Sequence, residues 1–354
     1  MRSKEALDKI IRKSRVHLYK PIQIAEILYQ YRHGAKIKLD DIETYRNISK
    51  KWRDDISKKI VGRVSTSSQK FQDNLFEENA MPPSLLKELG EYNSRNNGIV
   101  ETYIYYRLKE RLGMVSRAVE YVRTSGVDSF SLNKFLSLFV EEPGLKRSVD
   151  KVYEIVVYAL FSTIVRALEV EVCMEIKNRN KGILTDFSKF IDLVLRLSKD
   201  KPNIAVPAKL FRVGVTNAAD RGLDMWTNFG PAIQVKHISL SEELAEDVSE
   251  SVYSDNIILV CKEGDAELVK RITTMLPLKQ KIQGIITLED LTNWYAICLS
   301  SKYKNTLGKQ LLQDLIREFD FEFPVTHEID SFFKEREYNV SKLKGEWAPL
   351  VNGA

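Results

Sequence analysis

The segment KVYEIVVYALFSTIVRA, residues 151–167, restricts the fold more than any other part of the sequence. It is apolar on nearly every side, and such a helix is stable in water only when other elements surround it. It runs directly into LEVEVCMEI (168–176), whose alternating apolar and polar residues predict a half-buried strand. A buried helix that leads into strands predicts an α/β core.

The elements after residue 176 extend this core. The helical segment 183–199 looks like an insertion, and AKLFRVGV (208–215) precedes a predicted hairpin over 220–237. A helix capped by Ser241 follows, and then the short apolar run NIILVCK (256–262), typical of a buried strand. The order helix, strand, insertion, hairpin, helix, strand predicts a mixed sheet flanked by helices.

The region before this core reads as helical throughout. Its apolar spacing and breaks predict helices near 3–15, 21–32, 40–61, 84–92, 98–124 and 130–140. The aromatic run YIYYR (103–107) fits the core side of the long helix, with base stacking as the alternative. The predicted domains are a basic helical region for DNA binding or dimerisation, an α/β core with an insertion near 177–207, and a C-terminal helical extension: 1–140, 141–300 and 301–354.

Charge is unevenly distributed along the chain. Residues 1–70 carry 18 Lys/Arg and 8 Asp/Glu, a net charge of +10, whereas the whole chain is +5. This favours a polyanionic partner such as double-stranded DNA, although a solvated helix surface would look the same. The basic residues expected to meet phosphates lie before a Ser/Thr-rich turn, and they are Lys50, Lys51, Arg53, Lys58, Lys59 and Arg63.

Several classes of protein are disfavoured by composition. No run of about 18 apolar residues predicts a membrane span, and the charged N-terminus lacks a signal core. Three widely spaced cysteines and four scattered histidines predict a cytoplasmic protein without a thiolate or histidine zinc site. No GxxxxGK[ST] loop occurs, so no nucleotide cofactor is expected.

The hairpin DRGLDMWTNFGPAIQVKH (220–237) carries charge where a core hairpin needs none. If Asn228-Phe229-Gly230 forms a three-residue loop, Asp224 comes directly opposite Gln234. Because alternate residues of a strand share a face, Asp224, Gln234 and Lys236 then converge on one side of the sheet. A slip of one residue in the register would scatter them.

Such a group suits metal-assisted attack on a phosphodiester. Mg²⁺ prefers oxygen ligands, and Asp224 offers a carboxylate, with the Gln234 amide or the Val235 backbone carbonyl as a second ligand. Lys236 can orient the attacking water or stabilise the developing charge. Glu154, on the buried helix, offers a further acid, because a lone buried carboxylate is costly unless it is paired or bound to a metal.

Structural alternatives exist for each of these residues. Asp224 and Lys236 would also suit a plain cross-strand salt bridge, and Glu154 could pair with a neighbouring arginine. Asp220 shares the parity of Asp224 but falls in a predicted turn, which makes it a second-rank ligand. His237 points to the opposite face and fits a packing role. The acids expected on the solvated face of strand 168–176 are Glu169, Glu171 and Glu175.

The hairpin resembles the signature of PD-(D/E)XK nucleases, particularly their Mrr-like branch. The matching residues are Asp220, Gly222, Leu223 and Asp224, followed by Gln234 and Lys236. The resemblance implies a nuclease core with Asp224, Gln234 and Lys236 in the site, and it places Glu154 as the acid of a preceding core helix. Residue 219 is Ala rather than the nominal Pro, and Gln replaces the usual Glu or Asp at 234. The second departure leaves the number of metal ions open.

A narrower resemblance covers both ends of the chain. KKWRDDISKKIVGRVSTSSQKFQDNLF together with TNAADRGLDMWTNFGPAIQVKH is similar to type II restriction endonucleases of the HaeII kind. That family implies Mg²⁺-dependent cleavage of both DNA strands at a short palindrome by a homodimer. The alternatives are another PD-(D/E)XK nuclease, acting on methylated or branched DNA, and a non-catalytic DNA-binding protein.

Overall fold

The structure is a computed structural model that describes residues 1–65, 73–142, 144–178, 180–213, 223–252, 254–274, 281–324 and 328–348. The chain forms two compact units. The described residues of the first lie within Met1–Ile155 and Leu312–Ala354, and those of the second within Val156–Val213 and Arg221–Leu311. The domain boundaries at residues 140 and 300 stay a prediction.

Helices build the described part of the first unit, close to the predicted positions. They are Arg2–Lys13, Tyr19–Arg32, Ile48–Val61, Pro83–Arg95, Ile99–Ser129, Leu132–Val140, the start of Val149–Ala167, most of Lys309–Glu322, and Glu328–Glu335. One predicted boundary was wrong, because the third helix begins at Ile48 and not near residue 40. A separate 3-10 turn, Ile42–Thr44, precedes it, and there the Asp41 carboxylate accepts from the Glu43 N–H. A short acidic side chain that bonds nearby backbone favours such turns over a helix.

The longest helix, Ile99–Ser129, carries the aromatic run that the sequence assigns to the core. Tyr103 and Tyr105 are buried, as predicted. Gly126 interrupts the helix with a φ of +56°, at the break that the sequence predicts after residue 124. A left-handed residue inside a helix kinks it, and glycine adopts that conformation at least cost.

Two buried carboxylates tie the C-terminal residues to the N-terminal helices. Glu101 accepts hydrogen bonds from Arg32 (Nε and Nη2, both 3.1 Å), from Asn93 Nδ2 (2.5 Å) and from the Tyr338 hydroxyl (2.8 Å). All of its lone-pair capacity is thereby used inside the protein, which is the condition under which a buried charge is tolerated.

Glu26 is the second of these carboxylates. It accepts from the Tyr105 hydroxyl (2.6 Å) and from Arg336 Nη2 (3.1 Å). Burial raises the pKa of Glu26, while the neighbouring Arg336 opposes that rise. The C-terminal residues 328–348 are therefore held to the first unit by hydrogen-bonded charges as well as by packing.

The second unit contains two sheets. Its described strands are β1 (Glu171–Glu175), β2 (Asn203–Pro207), β3 (Leu210–Arg212), β4 (Met225–Thr227), β5 (Ala232–Val235), β6 (Ile257–Val260) and β7 (Ile282–Ile286). The main sheet has the order β3-β4-β5-β6-β7. β4 pairs with β3 and with β5 in antiparallel orientation, whereas β6 pairs with β5 and with β7 in parallel orientation. This is the mixed sheet that the sequence predicts.

Helices connect the parallel strands. The helices of this unit are the rest of Val149–Ala167, Lys181–Asp186, Ser188–Phe190, Glu242–Ser251, Ala266–Thr274 and Leu288–Leu299, with π-helical turns at Ile191–Leu195 and Lys304–Gly308. The Ser241 hydroxyl accepts from the Leu244 N–H (3.1 Å), which confirms the predicted cap. Apolar residues of these helices and strands form one buried cluster: Ala232, Leu240, Leu244, Ala245, Val248, Val252, Ile257, Leu259, Cys261, Ile272 and Ile282.

The prediction that segment 168–176 is a half-buried strand of the core was wrong. β1 pairs only with β2 in a separate antiparallel ribbon, and Leu168, Val170 and Met174 are exposed. β3 takes the first place in the main sheet instead. Alternation of apolar and polar residues indicates that a strand has one apolar and one polar face. It does not indicate which sheet the strand joins.

The architecture confirms the predicted α/β class with a largely helical N-terminal region. Along the chain, the core runs from the buried helix to β3, β4 and β5, then to the helix Glu242–Ser251 and β6. No helix among the described residues is long and apolar enough to cross a membrane.

Removing the central carboxylate of the first unit tests the role of the buried charges. We expect Glu101→Ala to lower the free energy of unfolding by about 3–5 kcal/mol, because it leaves Arg32 and two polar partners unpaired. Urea denaturation followed by circular dichroism measures the change. Glu91→Ala is the control, since it removes an exposed pair with Arg95 and should change stability by under about 1 kcal/mol. Equal effects of the two substitutions would contradict this account.

Candidate active site

The hairpin has the predicted register. Met225 lies opposite Ile233 and Trp226 opposite Ala232, so the next facing pair towards the open end is Asp224 and Gln234. The Thr227 hydroxyl donates to the Pro231 carbonyl (2.9 Å) across the three-residue loop. Gly230 in this loop has a φ of +123°, a conformation that only glycine adopts readily. The prediction on which the constellation depends is thus confirmed.

Asp224 is held against the neighbouring strand by its own side chain. Its Oδ2 accepts a hydrogen bond from the Val235 N–H (2.8 Å), and its backbone carbonyl accepts from the Val213 N–H (2.8 Å). The carboxylate therefore lies beside the strand that carries Gln234 and Lys236. A charge-assisted bond to a backbone N–H also fixes its orientation.

Gln234 is the most unusual member of the group. It is 2% exposed and lies next to Leu259 of β6. Its Oε1 is buried and has no hydrogen-bond partner among the described residues. An unsatisfied buried carbonyl costs about 1–3 kcal/mol, so such a group calls for a specific reason. An amide oxygen that no described residue satisfies, on the strand position that faces Asp224, is suited to bind a hard cation.

The oxygen atoms present fit Mg²⁺ better than a transition metal. The Asp224 carboxylate, the Gln234 amide oxygen and the Val235 carbonyl are hard ligands on adjoining backbone. Among the described residues, no group of three or more His, Cys, Asp or Glu could hold a metal ion. A site here would consequently depend on amide and backbone oxygens in addition to carboxylate.

Lys236 follows on the same strand face. Its backbone N–H donates to the Val260 carbonyl (2.8 Å), which fixes the residue at the end of the parallel ladder. Whether Lys236 acts in catalysis or pairs with Asp224 as a cross-strand salt bridge stays a prediction.

Glu154 is buried on the helix Val149–Ala167, in the part that belongs to the first unit. It forms an ion pair with Lys151, one turn earlier. The structural alternative for this residue, a pair with a neighbouring cation, is thus present, with lysine in place of the expected arginine. The part of Glu154 in catalysis stays a prediction.

The remaining candidates have different positions. Asp220 and Gly222 lie outside the described residues. His237 is half-buried at the end of β5. Glu171 and Glu175 are exposed on β1, as expected for a solvated face, and Glu175 pairs with Lys177 (2.7 Å).

The basic candidates of the first unit divide into three groups. Arg53 is buried and donates to Gln23 and Asp54, so it leaves the set of predicted DNA contacts, because its guanidinium faces the protein interior. Lys51 and Lys58 are exposed. The others are engaged by protein groups: Lys50 pairs with Asp73, Lys59 with Glu335, and Arg63 donates to the Phe321 and Glu322 carbonyls.

The sequence analysis missed one feature beside the hairpin. Trp226, two residues after Asp224 on the same strand face, stacks on Phe211 of β3 with ring centroids 4.1 Å apart and an angle of 15°. Both rings are partly exposed. The parity of Trp226 was visible in the sequence, but Phe211 could be placed only once β3 was known to pair with β4.

A mixed sheet flanked by helices, with this hairpin at one side, is an α/β fold of the nuclease-like class. The chain matches the HaeII restriction endonuclease family over residues 3–338. It is 53% identical to the type II restriction enzyme HaeII of Haemophilus aegyptius, over 95% of this chain and 96% of that protein. It is 47% identical to the type II restriction enzyme NgoBI of Neisseria gonorrhoeae, over 96% and 97% respectively.

The chain therefore belongs to the HaeII restriction endonuclease family, which confirms the resemblance to type II restriction endonucleases of the HaeII kind, while the PD-(D/E)XK assignment stays a prediction. Members of this family are type II restriction enzymes, so the predicted class of enzyme is confirmed at the level of the family. No solved structure matches the chain.

Measurements of stability alone can test whether the buried oxygen Oε1 of Gln234, which has no hydrogen-bond partner among the described residues, is unsatisfied. We expect Gln234→Met to raise the free energy of unfolding by about 1 kcal/mol in buffer containing a chelator, because it removes a buried unsatisfied carbonyl at similar side-chain length. Gln283→Met, at an exposed position of β7, is the control and should change stability by less than about 0.5 kcal/mol. A loss of more than 1 kcal/mol at position 234 would show that the amide has a structural partner.

Proposed function

We propose that this chain is a Mg²⁺-dependent type II restriction endonuclease that hydrolyses one phosphodiester in each strand of a short palindromic site in double-stranded DNA. Two copies act together, because symmetric cutting of two antiparallel strands needs two sites related by a two-fold axis. The observation that supports this most is the hairpin, where Asp224 adjoins Gln234 and Lys236 in a confirmed register. Family membership supports the class of reaction.

Three residues of the hairpin have separate tasks. Asp224, with the amide oxygen of Gln234 and the backbone carbonyl of Val235, forms the set of oxygens that would hold the cation. The Val235 N–H keeps the Asp224 carboxylate in place, so little reorganisation is needed on binding. When bound, Mg²⁺ supplies Lewis-acid stabilisation of the charge that develops on the phosphate.

Lys236 acts beside these oxygens as a donor. Its ammonium orients the attacking water and stabilises charge on the phosphoryl oxygens in the transition state. Glu154 is the proposed acid from the core helix, with Asp220 as a second-rank ligand. This assignment makes the motif a PD-(D/E)XK variant in which an amide replaces the usual carboxylate, so the site begins with less negative charge.

DNA binding is assigned to the basic surface of the helix Ile48–Val61. Lys51 and Lys58 are exposed there, and Lys59 pairs with the exposed Glu335, whereas the pair of Lys50 with Asp73 is mostly buried. Because an exposed ion pair is worth only about 0–1 kcal/mol, a phosphate can replace Glu335 at little cost. Lys50 is the fourth proposed contact. Arg63, at the end of the same helix, is the fifth proposed contact.

Substitutions in the hairpin test the catalytic assignment. We expect Asp224→Asn, Lys236→Ala and Gln234→Met each to reduce Mg²⁺-dependent cleavage of plasmid DNA at least about 100-fold, because each removes a group that acts in the transition state. Specific DNA binding in the presence of a chelator should persist, as measured by a mobility shift. Lys209→Ala is the control and should cut normally, because Lys209 is exposed just before β3 and contacts the hairpin loop through its backbone N–H, which donates to Asn228.

The same digests distinguish the alternatives. Discrete fragments from unmodified plasmid support a restriction enzyme, and sequencing of their ends gives the site and the stagger of the cut. Cleavage of methylated or branched DNA alone would favour another nuclease of the same motif. DNA binding without metal-dependent cleavage on any of these substrates would favour a non-catalytic protein. Near wild-type cleavage by Lys236→Ala would refute the site.

The basic surface makes a separate prediction. Lys51 and Lys58 should be replaced together by alanine. The slope of the logarithm of the DNA-binding constant against the logarithm of the salt concentration should then fall in magnitude by about 2, because each phosphate contact contributes about 0.9. Fluorescence anisotropy with a labelled duplex at several salt concentrations measures it. A double substitution of the exposed Lys342 and Lys344 is the control. An unchanged slope for the first pair would place the DNA elsewhere.

A further inference from the structure

The inserted segment between β1 and β2, which we call the excursion, has an exposed apolar surface. Ile183, Phe187, Phe190 and Val194 are spaced at i, i+4, i+7 and i+11 in the sequence, and they lie on or next to the short helices Lys181–Asp186 and Ser188–Phe190 and the π-helical turn Ile191–Leu195. All of them are exposed, and Leu193 and Leu195 beside them are exposed as well. We call these six residues the excursion surface.

The excursion does not need this surface for its own packing. Its small core consists of Leu184, Ile191 and Leu197, against which Ile176 and Ile204 of the ribbon pack. The helical turns therefore have two apolar sides. One covers the ribbon, and the other, with Phe187 58% and Leu193 67% exposed, faces away from that core. Exposed apolar patches of this kind mark interaction sites.

The charge around the surface limits the kind of partner. Residues 168–207 contain seven Lys/Arg and six Asp/Glu, so the segment is nearly neutral. DNA or an anionic membrane would attract a basic segment, as found in residues 1–70. Interspersed charges of both signs suit contact with an identical segment in the opposite orientation, where each cation can meet an anion.

The size of the surface fits a dimer of moderate area. At about 150–200 Å² for each large side chain, the exposed fractions correspond to roughly 600 Å² of apolar surface per copy. Homodimer interfaces are about 65% apolar, so the total would be roughly 900 Å² per copy. A standard stable interface buries about 800 Å² per partner.

We propose that the excursion surface is the contact between two copies of this chain, packed about a two-fold axis. The proposal rests on the homodimer of the proposed function and identifies the residues that form it. In a two-fold contact the excursion surface of one copy packs against the excursion surface of the other. Each apolar side chain therefore contacts the same residue, or a nearby one, of the second copy. Burying the excursion surface also removes the largest set of exposed apolar side chains in the described chain from water.

Sedimentation equilibrium of the full chain without DNA tests the proposal. The wild-type protein is expected to be a dimer at micromolar concentration. Phe187→Asp and Leu193→Asp should each raise the dissociation constant at least about 100-fold, because each places two unpaired carboxylates in a desolvated contact. These positions are exposed, so the thermal midpoint of unfolding at low protein concentration should stay close to that of the wild type.

Matched controls lie elsewhere on the chain. Phe321→Asp and Ile297→Asp introduce the same charge at positions that are 62% and 52% exposed, and both variants should remain dimeric. A mixture of Phe187→Asp and Phe187→Lys chains gives a second readout. The mixture should dimerise at least about 10-fold more tightly than either variant alone, since opposite charges then meet across the axis.

Each outcome bears on a distinct statement. A dimer that is unaffected by Phe187→Asp and Leu193→Asp overturns the proposed surface but leaves the homodimer intact. A wild-type protein that stays monomeric both free and on DNA overturns the surface together with the homodimer of the proposed function, while cleavage by the hairpin residues could still hold. Loss of dimer in the controls to the same extent would also overturn the surface.

Discussion

The structure of the candidate site depends on one hydrogen bond, from the Val235 N–H to the carboxylate of Asp224. It joins Asp224, just before β4, to the end of β5. The carboxylate is thereby held against the strand that carries Gln234 and leads to Lys236. A shift of one residue in this register would turn Gln234 and Lys236 to the opposite face. The three-residue loop with Gly230 sets that register, so local turn geometry determines which side chains adjoin.

The same hairpin contains a buried polar atom that the described residues leave unsatisfied. It is Oε1 of Gln234, a residue that lies opposite Leu259 in the sheet. Most buried polar atoms in proteins have a hydrogen-bond partner. The exceptions are found most often at functional sites, where a ligand supplies the missing partner. The carboxylates Glu26 and Glu101 of the first unit, in contrast, are buried with several donors each.

Much of the fold could be predicted from local patterns. The helix Val149–Ala167, the cap at Ser241 and the register of the 220–237 hairpin depend on residues close together in sequence, and all three were predicted correctly. The strand near 168–176 was also predicted, but its sheet was wrong, because pairing with β2 depends on residues about 30 positions away. Arg53 failed as a surface residue for the same reason. Its partner Gln23 lies on another helix, and this contact buries the guanidinium.

The sequence by itself determined the α/β class, the family and the three hairpin residues that share a face, since periodicity, turn chemistry and the motif are all local. Only the tertiary structure decided which apolar and charged groups are buried. It showed the unpartnered oxygen of Gln234, the ion pair of Glu154, the burial of Arg53 and the uncovered stripe from Ile183 to Val194. Burial depends on what the rest of the chain places against a residue, and no local pattern contains that information.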